Sequence, residues 1–365
     1  MNGKERVNAI FDRKPVDRHP FWLGNPADDA KVIYAEALGI PVDIPTDESE
    51  QGISILKATK LFDLDIRLHE KLGSDLFWAS PELDPFVYQH PEGKPMFDIF
   101  GGKPRTSLTQ AGVFGGCEDV GEVEAFDWPN PDYMNFDETL KIIEMASSKG
   151  MAIFGGMWMP FFHTVADFFG MENYFIKMFT SPDVVKAVTE KVMNFYLEVN
   201  RRCLDIMGDK IDAQFFGNDL GSQEGLLIGP DQLKEFVYPG IRKIIDQAKS
   251  YNLKVVMHSC GAVSAIIPDL IEFGIDALHP LQAKAKGMDA ESLMAKFKDK
   301  LVFIGGVDTQ VLLPNGTPEQ VKNQVERLKG VFGENFIVSP SHEALLANVS
   351  IENVLAMSNE ATKKS

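Results

Sequence analysis

Cysteine is scarce in this chain, with only Cys117, Cys203 and Cys260 among 365 residues. Three thiols so far apart build no disulfide framework, and their scarcity points to a reducing compartment. Long hydrophobic runs are missing as well. No stretch approaches the ~18 uninterrupted apolar residues of a membrane span, and the opening MNGKERVNAIFDRK is charged where a signal peptide would be apolar. Positive charge is in deficit, 36 Lys and Arg against 53 Asp and Glu, for a net charge of −17. A surface of that sign repels phosphate backbones, and no basic stripe offsets it, which argues against a nucleic-acid partner. The chain reads as soluble and cytoplasmic.

What is present is a large apolar complement. At 44% hydrophobic residues the chain can bury a substantial core. The prior of roughly 100–200 residues per domain suggests about two domains, but barrels of alternating strand and helix run past ~250 residues as one unit. From residue 150 onward that alternation is visible. MAIFGG (151–156), DAQFFG (212–217), LKVVMHS (253–259), DALHP (276–280), LVFIGG (301–306) and NFIVSP (335–340) are short apolar runs stopped by polar residues, Gly or Pro. Helical patterns lie between them. Ser181 and Pro182 open one as N-cap and first helical residue, and GPDQLKEF and TPEQVKNQ repeat that opening.

The first third is less regular. RHPFWLG (18–24) and SDLFWAS (74–80) supply two more strands, and residues 97–116 read as a hairpin excursion. Eight such runs, buried on both faces, predict a (β/α)8 TIM barrel with an N-terminal elaboration, a single domain over 1–365.

In such a barrel the C-terminal ends of the strands share one mouth. Those ends carry Asn218 and Asp219, His258 and Cys260, His279 and Gln282, Asp308, and His342. His258 and Cys260 stand two residues apart, so a strand would point both to the same side. One thiolate with imidazoles suits zinc, held by three protein ligands with a fourth position open, and His258, Cys260 and His342 meet that count. An ion so bound lowers the pKa of a substrate thiol. The plainer alternative is that each His is a hydrogen-bonded packing residue. Asp219 is a catalytic acid/base candidate or an Asx-turn, and Asp308 offers the same pair of readings. Trp22, Trp158, Phe161 and Phe162 are pocket walls or core. Cys117 and Cys203 look structural, and His163 is the one further histidine within reach of the mouth.

Taken together, FGNDLGSQEGLLIGPDQLKEFVYPGIRKII, HSCGAV, GIDALHPLQAKAKGMD, FIGGVDTQVLLPNGTPEQV and SHEALLANVSIENVLAM resemble successive signatures of the uroporphyrinogen decarboxylase superfamily over residues 211–357. The resemblance implies the same barrel and one of two chemistries. True uroporphyrinogen decarboxylases carry an Arg-rich N-terminal loop for the substrate carboxylates. Here RHPFWLGNPADDA offers Arg18 alone, with Asp28 and Asp29 where cations would be wanted. The cobalamin-dependent branch moves a methyl group from a methylated corrinoid protein to a thiol or folate acceptor. Its thiol-using members hold zinc through a His-x-Cys pair, matched by His258 and Cys260, and a later Cys whose place His342 takes. The expected function is therefore zinc-assisted, corrinoid-dependent methyl transfer to a small-molecule acceptor, with Asp219 supporting. A decarboxylase-like lyase for another substrate and a non-catalytic binding barrel are the alternatives.

Overall fold

The computed structural model of the protein describes residues 1–44, 55–83, 85–107 and 109–364. Seven strands form one sheet in sequence order: β1 (Leu76–Trp78), β2 (Ala152–Gly155), β3 (Ala213–Gly217), β4 (Lys254–His258), β5 (Ala277–Leu281), β6 (Val302–Val307) and β7 (Phe336–Pro340). Every neighbouring pair is parallel. Parallel neighbours need crossovers, and helices supply them, among them Asp137–Ser148, Pro182–Met207, Tyr238–Ser250 and Pro318–Phe332. Thr317 begins the last of these with a full capping box to Gln320. Ser181 occupies the expected cap position before Pro182, yet its side chain makes no cap hydrogen bond.

The strands are buried along both faces, as their continuous apolar character predicted. Alternate residues, including Leu76, Phe154, Phe215, Val256, Ala277, Ile304 and Ile337, meet in one interior cluster, so the sheet curls around its own core. Val7, Ile10 and Phe11 of the N-terminal helix Gly3–Phe11 join that cluster. They cover the leading ends of the strands, leaving the trailing ends for chemistry.

The eighth strand expected at 18–24 is reduced to a single bridge, Phe21 to Val338 of β7. Trp22 N–H donates to Val338 O at 2.9 Å, and Val338 N–H donates to Pro20 O at 2.9 Å. On the other side Asp75 N–H, just before β1, donates to Phe21 O at 2.7 Å. Pro20 has no N–H to extend the ladder, and Gly24, at φ +91°, turns the chain away. Asp75 secures the join from below. Its carboxylate takes the Phe21 N–H at 2.8 Å, the Arg6 guanidinium at 2.5 Å and the Arg18 guanidinium at 2.6 and 3.0 Å.

The hairpin expected over 97–116 is not formed; Leu108 in it lies outside the described residues. Gly101 and Gly102 adopt positive φ and break the extended run. The segment instead lies as a loop on the helix Phe161–Phe169, with Phe114 N–H donating to Phe168 O at 2.9 Å. Among the described residues no helix is long and apolar enough to cross a membrane.

Candidate metal centre

At the trailing end of β4, Val256 faces the interior, and His258, two residues on, faces it too. Cys260 follows on the same side, its Sγ 3.4 Å from His258 Nε2. Asp219 arrives from the loop after β3. Its Oδ1 lies 3.2 Å from His258 Nε2 and accepts the Cys260 N–H at 2.8 Å. Asp219 N–H in turn donates to His163 Nε2 at 3.0 Å, bringing His163 to the mouth.

The opposite edge of the His258 ring has its own partners. Nδ1 lies 3.0 Å from His279 Nδ1 on β5 and 3.5 Å from Glu343 Oε2 in the loop after β7. His279 is fully buried, with its Nε2 unpartnered, and Glu343 Oε2 is likewise buried without a hydrogen bond. His258 therefore belongs to two groups whose ligand atoms lie within 4.8 Å of one another: Asp219, His258 and Cys260, and His258, His279 and Glu343.

The expected third ligand, His342, is in neither group. It sits beside them, its ring centroid 6.1 Å from that of His258 and its side chain 43% exposed. Its Nδ1 accepts the Ala344 N–H at 3.1 Å. Glu343 is the residue that sequence reasoning missed. Its signal was modest: an acid beside the histidine in SPSHE, at a strand end.

The electrostatics favour a thiolate. Burial works against the Cys260 thiolate, but hydrogen bonds from His258 and His342 outweigh it and bring the thiol below its ordinary pKa. Burial also opposes charge on His258, yet Glu343, Asp219 and Cys260 raise its pKa well above the usual histidine value. Burial and the neighbouring His258 charge keep His279 well below that value. For Asp219, burial is overcome by His258 and the Cys260 N–H, and the carboxylate stays ionised.

The other residues read as candidates divide cleanly. Asn218 ties loops together, accepting Phe162 N–H at 2.8 Å and donating to Met159 O at 3.2 Å. Gln282 accepts Gly261 N–H at 2.8 Å. Asp308 takes the N–H groups of Gln310 and Leu312 and pairs with Lys284 at 3.0 Å, which makes it a turn residue. Trp158 packs edge-on to His258 at 5.2 Å and against Trp78 at 4.9 Å, walling the site. It fits because Gly217 has no side chain; a Cβ there would stand 2.2 Å from the Trp158 ring. Trp22 packs on His279 at 5.0 Å, while Phe161 and Phe162 are core. Cys117 and Cys203 are buried, and burial raises both thiols.

A thiolate, an imidazole and a carboxylate make a donor set suited to zinc.

The uroporphyrinogen decarboxylase (URO-D) family pattern matches residues 115–364, and the chain belongs to that family. Among curated proteins it is similar to the methylcobamide:CoM methyltransferase MtbA of Methanosarcina mazei, 22% identical over 205 residues, or 56% of this chain and 57% of that protein. A methylated-thiol–coenzyme M methyltransferase of the same organism is 24% identical over 284 residues, 76% of this chain and 65% of the relative. The chain thus spans a little over half the length of the MtbA protein and just under two thirds of the other. A solved methyltransferase from Methanosarcina mazei shares the fold, with a TM-score of 0.68 at 16% identity over 99% of this chain and 98% of that one.

Proposed function

We propose that the chain is one (β/α)8 barrel domain, closed by residues 20–23, that transfers a methyl group from a methylated corrinoid protein to a thiol or folate acceptor with the help of zinc. The observation that carries the reading is the His258–Cys260 pair, 3.4 Å apart beside Asp219 and His342 at the mouth of the sheet. Family membership and similarity to two kinds of coenzyme M methyltransferase support it.

In this reading His258 and Cys260 hold the ion, with a third donor from Asp219 or His342. When bound, zinc supplies Lewis acidity that turns an acceptor thiol into a thiolate at neutral pH. The protein's own residues prepare the place. Trp78 and Trp158 wall one side with apolar surface, which keeps water from competing with the acceptor. Asp219 fixes the Cys260 backbone, and His279 and Glu343 hold the far edge of His258.

Protein purified without added metal is assayed for zinc, then mixed with methylcobalamin and a panel of thiols and tetrahydrofolate. Loss of the methylcobalamin spectrum with formation of a methylated acceptor is the expected result. Zinc-loaded protein that leaves methylcobalamin methylated with every acceptor in the panel would sink the proposal.

A further inference from the structure

The two donor groups around His258 differ in what can reach them. On the Nε2 side stand Asp219, with a side chain 40% exposed, and the half-buried Cys260. On the Nδ1 side stand fully buried His279 and Glu343, 16% exposed. A substrate can approach only the first. Resting on the zinc reading above, the ion then belongs on the Nε2 side, and the question is which residue joins His258 and Cys260.

Distances and hydrogen-bond partners decide it. His258 Nδ1 and His279 Nδ1, 3.0 Å apart, must share one proton. That leaves Nε2 as the edge of His258 that faces Asp219 and Cys260 and can meet an ion, the usual arrangement of a ligating histidine. His342 is fixed the other way. Its Nδ1 faces two groups, the Ala344 N–H at 3.1 Å and Glu343 Oε2 at 3.5 Å, and only the first is within ordinary hydrogen-bond length. Its Nδ1 is thus engaged by the backbone, and its side chain belongs to neither group of close donor atoms.

Asp219 has the opposite character, an ionised carboxylate with lone pairs free. Bonds of about 2.0–2.3 Å place tetrahedral ligand atoms roughly 3.3–3.7 Å apart. The separations of 3.2 Å from Asp219 to His258 and 3.4 Å from His258 to Cys260 lie at the edge of that range without rearrangement.

We infer that Asp219 is the third metal ligand beside His258 and Cys260, and that His342 stands outside the ligand set.

The test is titration of the full chain with Co2+ and Zn2+ against a competing chelator. The unaltered protein should take up one equivalent. His342→Gln should keep that equivalent, weakened by no more than about 100-fold. Asp219→Asn, which retains an acceptor for the Cys260 N–H, should lose stoichiometric binding under the same conditions. Loss of the ion by His342→Gln, or full retention by a folded Asp219→Asn, overturns the assignment. Should Asp219→Asn fail to fold by circular dichroism, the His342→Gln result decides alone. An unaltered protein that takes up no ion overturns this inference and the zinc reading together, whereas uptake with the wrong variant pattern overturns only the inference.

Discussion

His258 and His279 meet Nδ1 to Nδ1 at 3.0 Å, each almost wholly removed from solvent. Two imidazoles so placed are locked in complementary tautomers, since neither a pair of protons nor a pair of lone pairs is tolerated at that distance. His279→Leu should therefore weaken metal binding by about 10–100-fold while leaving one equivalent bound, the usual cost of removing an outer partner of a ligating histidine. Chelator competition reads this directly. Unchanged affinity would mean that Glu343 alone orients the ring.

Asp75 joins the N-terminal helix, the Arg18 segment and the start of β1. Its side chain is 3% exposed and its Arg6 partner 5%. Removing one member of a buried pair strands the other charge, at a cost of about 3–5 kcal/mol. Asp75→Ala is expected to lose stability of that order in urea unfolding. A loss under 1 kcal/mol would show that the arginines find water or another acid instead.

His19 contributes a pH dependence. Burial is the main cause of its lowered pKa, only partly offset by its hydrogen bond to Gly333 O. The folded chain then resists a proton that the unfolded chain accepts as pH falls through about 6.5. The stability lead of the unaltered protein over His19→Gln should shrink from pH 7 to pH 5. A lead that grows on acidification would reverse the sign.

Arg18, the one arginine of the N-terminal loop, spends its guanidinium on Asp75 at the leading ends of the strands, opposite the mouth. It is not placed to receive a polycarboxylate, and Asp28 and Asp29 begin a helix nearby in sequence. The protein should not convert uroporphyrinogen to coproporphyrinogen. Product accumulating at enzyme-like rates in a fluorescence assay would count against the site geometry described above.

The seven strands were legible because each is a short apolar run with a sharp stop, and β2 through β7 fall inside or within a residue of the expected bounds. His258 and Cys260 share a side, as their spacing required, because Val256 and His258 both face the interior. The shortfall lies where backbone and tertiary contact overrule pattern. Pro20 and Gly24 cut the first strand to one bridge, although RHPFWLG reads as well as any other run. The chemistry of His342 hangs on the Ala344 N–H, a local turn that no spacing rule anticipates. Glu343 gains its importance only by folding against His258 on β4, which sequence distance hides.

The bridge between Phe21 and Val338 also orders events in time. Its partners come from opposite ends of the chain, so synthesis delivers the first long before the second exists. Until β7 has been made, residues 20–23 have only the Asp75 side of their hydrogen bonding, and Trp22 lacks its partner Val338. Contacts between such distant residues are slow to form and leave apolar surface open while they wait. The join between residues 20–23 and β7 is thus the step at which a newly made chain is most exposed to misassembly.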